Sequence, residues 1–490
     1  MIPVPLSAAT LDELPAKVAV PTYDRTGVRI GIVHFGVGGF HRAHQAMYLD
    51  RLLTLGDARE WGICGVGLLP ADALTLKRLS GQDNLYTLMV RDPRGGTDLH
   101  VIGSIVASLY GPDDPSAVLA MLVDPQVRIV TLTITEGGYN VDPVSGAFDI
   151  SNGAVLADLQ RTEAPQTVFG YVVEALARRR NAGIPPFTVA SCDNVQSNGA
   201  VARGAFAGYA ELRDPALAAW IREAVSFPNS MVDRITPVTT DADIAELRDI
   251  GLDDEWPAVT ETFTQWVLED AFPAGRPAWE RVGVQLTADV LPYELMKLRL
   301  LNVGHQILAY AGHLAGYRFV HEAASDPVFA SFLRAYMTRE ALPTLLPVDG
   351  VDLDEYIETL LVRFTNPHLG DTIARLCAWA SDRIPKWHVP VVHHNLVNAG
   401  PVELSATLIA AWARFAEGAD EQGNPIDVVD AVAAELRASA VGWPSDPLSF
   451  LRNRRLFADL VDHPHFTEPY LRALASFHEV GARATLARFT

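Results

Sequence analysis

Arg29-Ile30-Gly31-Ile32-Val33-His34-Phe35-Gly36-Val37-Gly38-Gly39-Phe40-His41 runs from an apolar stretch straight into a glycine-rich turn. The first seven residues read as a short buried strand, and Arg42 to Leu55 reads as the helix that follows the turn. A strand, a glycine turn and a helix in that order form the phosphate-binding start of a doubly wound α/β sheet. Glycine permits the tight turn and lets backbone N–H groups approach a pyrophosphate at the helix N-terminus. Gly36, Gly38, Gly39 and Phe40 are therefore candidate cofactor-binding residues, with His41 standing where the third glycine of the dinucleotide fingerprint would be.

Further strands continue the pattern, at Trp61-Gly62-Ile63-Cys64-Gly65-Val66 and at Leu99-His100-Val101-Ile102-Gly103-Ser104-Ile105. Residues 127–135 and 186–191 complete a βαβ alternation. The last two strands end in Glu136-Gly137-Gly138-Tyr139-Asn140 and Cys192-Asp193-Asn194. Loops at the carboxyl ends of parallel strands are where such sheets bind ligands. The competing reading, less favoured on sequence alone, makes Asp193 and Asn194 caps of the next helix. From Phe227 onward helical periodicity replaces the alternation, with segments at 294–314, 327–337, 353–364, 401–415 and 426–440. Residues 251–278, rich in Pro, Trp and acids, read as a connecting segment. The fold class expected is α/β: a Rossmann-like, doubly wound N-terminal domain over 1–226, followed by a mainly α-helical C-terminal domain over 227–490.

The chain has 490 residues, enough for two large domains each with its own core. Hydrophobic residues make up 49 % and charged residues 20 %, the balance of a folded globular protein. A formal charge of −20 argues against a nucleic-acid partner, which needs clustered Lys and Arg. The start, Met1-Ile2-Pro3-Val4-Pro5, does not read as a secretory signal, and no apolar run suggests a membrane span. A cytoplasmic protein with no membrane partner is expected, and Cys64, Cys192 and Cys377, few and far apart, fit reduced thiols.

One helical stretch is chemically unusual: Tyr293-Glu294-Leu295-Met296-Lys297-Leu298-Arg299-Leu300-Leu301-Asn302-Val303-Gly304-His305. At α-helical spacing Glu294, Lys297, Asn302 and His305 fall within an arc of about 140°. Burying an amine is costly unless it gives up its proton, and a neutral amine is a base. The competing reading is an ordinary amphipathic helix with Lys297 snorkelling to water. His388, His393 and His394 have no accompanying H-E-x-x-H or C-x-x-C spacing, so no metal is expected.

The blocks Gly36-Val37-Gly38-Gly39-Phe40-His41-Arg42-Ala43-His44, Thr133-Ile134-Thr135-Glu136-Gly137-Gly138-Tyr139, Ser191-Cys192-Asp193-Asn194, residues 227–235 and residues 297–306 together resemble the long-chain polyol-specific, or mannitol, dehydrogenase family over nearly the whole length. The resemblance implies NAD-dependent hydride transfer between a polyol and a ketose, D-mannitol and D-fructose first among them. It makes Lys297 the general base, Asn194 and Asn302 donors to the developing alkoxide, and His305 the residue that holds the reactive hydroxyl. It makes Glu294 a proton relay, and Asp233, Val232, Arg375 and Arg383 the substrate-binding set. The family also implies a monomer. Two departures stand out: Asp72 is the first acid after the second strand, displaced from where relatives bind the adenosine ribose, and Val303-Gly304 precedes His305 where relatives often carry Ala-Ser. Alternatives are a hexuronate reductase acting on fructuronate or tagaturonate, another polyol dehydrogenase acting on arabinitol or sorbitol, and a non-catalytic NAD-binding sensor.

Overall fold

Strands β3 (Ile30–Phe35), β4 (Gly62–Gly67) and β8 (Ile129–Leu132) are apolar along almost their whole length, because a parallel sheet covered by helices buries both of its faces. The computed structural model describes residues 2–141 and 148–489. The chain divides into two compact units, Met1–Leu291 and Pro292–Thr490.

The first unit also carries β1 (Val4–Pro5), β2 (Val18–Ala19), β5 (Tyr86–Arg91), β6 (Thr97–Ile102), β7 (Ile105–Tyr110), β9 (Thr188–Ser191), β10 (Ser230–Asp233), β11 (Leu252–Asp253), β12 (Ala258–Glu261), β13 (Gln265–Glu269) and β14 (Gln285–Thr287). Its main sheet is parallel with the order β7-β4-β3-β8-β9, so strand order reverses at β3. That reversal is the topological switch point of a doubly wound fold. Alternate residues sort to opposite faces as strand geometry requires. Val33, Phe35, Val130 and Leu132 join one core with the helix Val168–Asn181. Ile32, Ile63 and Ile129 join another with Gln45–Thr54.

The structure corrects several expectations in this unit. The stretch 99–105 is not one strand of the alternation: β6 runs antiparallel to β5 in a second sheet, while β7 takes the place beside β4. The chain breaks between them where the Gly103 N–H donates to Asp50 Oδ1 at 2.8 Å. The segment 251–278 is not a connector but supplies β11, β12 and β13, with β12 pairing in parallel with β5. Where the sequence reading divides the chain at 226/227, compactness divides it at Leu291/Pro292, because β10 to β14 pair within the first unit. The helix after the glycine turn is two helices, Gly39–Ala43 and Gln45–Thr54, parted at His44.

The regular structure of the second unit is helical among its described residues, apart from isolated bridges. Val303–Leu314 is buried along nearly its whole length and packs against Glu403–Ala416 and Ile373–Cys377. Helices at Pro327–Tyr336 and Leu353–Phe364 match their periodicity, each opened by an aspartate, Asp326 or Asp352, that accepts backbone N–H groups. Of the stretch 426–440, Ala433–Ala440 is helical. No helix among the described residues is long and apolar enough to cross a membrane.

Candidate functional site

In the first unit a cavity of about 950 Å³ opens at the carboxyl ends of the parallel strands, walled by Gly36, Gly38, Leu68, Asp72, Thr133 and Thr135 among others. Gly36 has φ +95°, and a Cβ there would lie 2.1 Å from the Thr133 carbonyl oxygen, so a side chain has no room. Its own carbonyl is held by the Gly38 N–H at 2.7 Å and the Thr133 hydroxyl at 2.6 Å. The turn is thus rigid before any ligand arrives.

His34 and His41 explain the missing third glycine. Their rings stack with centroids 3.3 Å apart, and both are buried, which holds His41 well below the usual imidazole range and His34 at about 3. Two neutral imidazoles fill the strand-to-helix contact that glycine would otherwise make close. Gly36 and Gly38 face the cavity. Gly39 begins the next helix, and Phe40 stacks on His44 at 4.9 Å, neither forming part of the cavity wall.

Asp72 also lines the cavity, and its Oδ2 accepts the N–H groups of Leu68 and Leu69 at 2.9 and 2.8 Å. The loop and the first turn of the Pro70–Gly81 helix thereby aim the carboxylate. Its Oδ1 accepts no hydrogen bond from the described residues and is open to a ribose hydroxyl. The turn without room for side chains, the helix N-terminus and this acid fit a dinucleotide. Ile134, Thr135, Asn140 and the exposed Arg161 belong to the same wall. The loop after β8 signalled the first three; Arg161 lies in no motif.

Asp193 does not cap a helix. Its carboxylate accepts the Ile134 and Thr135 N–H groups at 3.1 and 2.8 Å and the Tyr139 hydroxyl at 2.6 Å. Asn194 follows it directly, and Val232 and Asp233, both buried, sit on β10.

In the second unit Glu294, Lys297, Asn302 and His305 are 5, 8, 6 and 7 % exposed. The helix that carries them is not α throughout: Lys297–Asn302 is a π segment between Leu291–Met296 and Val303–Leu314. A π turn closes i to i+5, so Lys297 and Asn302, five apart, stand one above the other, and the α-helical arc read from sequence narrows. The amide oxygen of Asn302 is buried without a hydrogen-bond partner among the described residues. The His305 ring packs 4.4 Å from Phe364. A Cβ at Gly304 would meet Met337 Cε, the far end of a flexible side chain, at 2.8 Å.

Arg375 lies on Ile373–Cys377, which packs against Val303–Leu314; Arg383 lies on Ala380–Trp387, which packs against the π segment. Arg375 is held by Asp371 through two 2.7 Å bonds, and Arg383 lies over the Trp387 ring at 5.6 Å. His388 is buried against Tyr336 and His393 lies 3.6 Å from Asp459.

Residues 30–281 match the family model described as mannitol dehydrogenase Rossmann domain, and residues 289–477 match the mannitol dehydrogenase C-terminal domain. A mannitol 2-dehydrogenase of Phaeosphaeria nodorum is 44 % identical, covering 99 % of this chain and 85 % of its own length. The Pseudomonas fluorescens mannitol 2-dehydrogenase, solved as a ternary complex with NAD and D-mannitol, superposes with a TM-score of 0.92 at 43 % identity over 99 % of both chains. A D-sorbitol dehydrogenase in substrate-free form gives 0.89 at 40 % identity, over 98 % of this chain and 100 % of its own.

Proposed function

The chain belongs to the mannitol dehydrogenase family, and from that premise we propose that it is an NAD-dependent polyol 2-dehydrogenase interconverting D-mannitol and D-fructose. The observation that carries the reading is the buried Lys297 set one π turn from Asn302, in a chain whose other unit holds a cavity of about 950 Å³ walled by the glycine turn and Asp72. Gly36, Gly38 and Asp72 hold the dinucleotide, with Gly39 and Phe40 opening the helix behind the turn. When bound, NAD accepts the hydride from the alcohol carbon or, as NADH, returns it to the ketone.

The protein's own part is proton transfer and charge stabilisation. Neutral Lys297 accepts the hydroxyl proton as hydride leaves the same carbon. Asn302 and Asn194 donate hydrogen bonds to the oxygen as negative charge develops on it. His305 orients the reactive hydroxyl, and Glu294, one turn before the base, relays the proton towards solvent. Asp233, Val232, Arg375 and Arg383 bind the outer hydroxyls. The base assignment gives a metal no task, and activity that a chelator abolished and zinc restored would overturn it. The protein acts as a cytoplasmic monomer in this reading.

A uronate would need a cation free for its carboxylate. Arg375, already paired with Asp371, speaks for hydroxyls instead. The test is NADH oxidation with fructose, fructuronate and tagaturonate, and with NAD against mannitol, sorbitol and arabinitol. Fructose and mannitol are expected to give the highest kcat/KM; a higher value for fructuronate would replace this reading with the reductase, and binding of NADH without turnover of any of these substrates would favour the sensor.

A further inference from the structure

Thr135 has φ 66° and ψ 168°, a region of backbone space that only glycine occupies without steric cost. A β-branched residue there needs something to hold it, and the surroundings supply it. The Thr135 and Ile134 N–H groups both donate to the buried Asp193 carboxylate. Tyr139, fully buried, closes the loop by donating its hydroxyl to Asp193 Oδ2, with its oxygen 2.5 Å from the Ser191 hydroxyl oxygen. Ser191 is fixed in turn, its carbonyl accepting the Ser230 hydroxyl at 2.6 Å, and Asn198 donates to the Asp193 and Ser230 carbonyls. The clamp therefore joins the carboxyl ends of β8 and β9 to β10. The clamped loop is a wall of the cavity, since Ile134, Thr135, Gly137, Gly138 and Asn140 all line it.

We propose that Asp193 is a positioning residue for the cofactor, holding Thr135 in its strained conformation so that the loop 134–140 presents a fixed wall to the dinucleotide. This rests on the dinucleotide reading of the cavity. Asp193 itself does not line the cavity, so it acts through the loop. The groups facing its carboxylate are the Tyr139 hydroxyl and the two backbone N–H groups, with Glu136 as the nearby charge. Burial favours its protonated form, yet both oxygens are engaged by donors, which is how a carboxylate can be kept in place there.

The test uses the full-length protein and two readouts, hydrogen exchange of the peptide covering 134–140 and the dissociation constant for NADH by fluorescence titration. Asp193→Asn replaces one acceptor oxygen by a donor. It should speed exchange across the loop and weaken NADH binding at least about tenfold, with kcat at saturating NADH changed less than KM for NADH. Thr135→Gly removes the strain, because glycine takes positive φ freely. The double variant Asp193→Asn/Thr135→Gly should therefore bind NADH within about threefold of the parent. A merely structural aspartate would show no such rescue by glycine at a second site. Normal exchange and affinity in Asp193→Asn, or a double variant no better than the single, overturns the proposal. Should Asp193→Asn not fold, a folded double variant with NADH affinity restored supports it and an unfolded one overturns it. If the parent protein binds no NADH, the cofactor reading falls, and the exchange arm still decides whether Asp193 holds the loop.

Discussion

Replacing Lys297 by alanine removes the amine and leaves the helix, since alanine is the best helix former. The expected loss in kcat is the ~10²–10⁴-fold typical of general base catalysis, with the NADH dissociation constant unchanged because Lys297 belongs to the second unit and the dinucleotide cavity to the first. Stopped-flow kinetics and fluorescence titration check the two halves separately, and a loss of NADH affinity in step with rate would make the helix structural. A general base must be neutral to accept a proton, so polyol oxidation is expected to rise with pH. Asp72 sets a second expectation. An acid aimed into the cavity repels a 2′-phosphate, so kcat/KM should favour NAD over NADP, although Arg161 lies in the same wall. Asp72→Ala should narrow that ratio about tenfold, a difference of ~1.4 kcal/mol, and lower stability by ~1 kcal/mol through the lost cap. Equal ratios in the two proteins would show that Asp72 works as a cap alone.

The π segment gives the helix that carries Lys297 a property no single residue has. One extra residue per turn between Lys297 and Asn302 aligns them and rotates everything that follows. Inserting one alanine between Leu300 and Leu301 should exceed what the π turn absorbs and swing His305 by about 100° relative to Lys297. The expected result is a folded, NADH-binding protein with turnover reduced at least about 100-fold. Circular dichroism, NADH titration and kinetics would report it; an insertion variant with normal turnover would show that the alignment has no catalytic role. A second π segment, Met337–Ala341, packs against the first. It carries Glu340, whose carboxylate accepts the Leu404 and Ser405 N–H groups at 2.7 and 2.8 Å and so caps the Glu403–Ala416 helix.

The buried carboxylates should lose their contribution to stability as pH rises through neutrality. Burial raises Glu340 to about 7 and Asp50 and Asp193 to about 6. Each is protonated more readily folded than unfolded, so its contribution is complete below the unfolded value near 4 and is lost as pH climbs through 6 to 7. For Glu340 the difference is on the order of 3 kcal/mol at 1.36 kcal/mol per pKa unit. The buried His34, His41 and His388, held below the usual imidazole range, act in the opposite sense, so calorimetry between pH 5 and 8 should show the Tm of the parent losing ground to that of Glu340→Gln as pH rises. An unchanged slope in that variant would mean that Glu340 stays ionised throughout. With a formal charge of −20, self-repulsion acts in the same direction as carboxylates ionise.

Local chemistry made part of this legible without a fold. The run from Ile30 to Gly39 announced a nucleotide-binding strand and turn because glycine and buried parallel strands have composition signatures of their own. Lys297, Asn302 and His305 stood out because polar groups on an apolar helix need a reason, and Gly36 and Gly38 fell on the cavity wall as their spacing implied. Strand pairing is decided between distant segments, so the sequence reading took 251–278 for a connector when β12 completes the sheet of β5. It joined β6 to β7 because no periodicity marks the change of sheet between them. The π turn was invisible for a like reason, since 3.6-residue spacing is assumed whenever apolar positions are counted. Arg161 and the Asp193 clamp lie beyond any local rule: an exposed arginine joins a cavity, and an aspartate trades a capping role for two backbone N–H groups 58 and 59 residues away, only once the chain has brought those groups together.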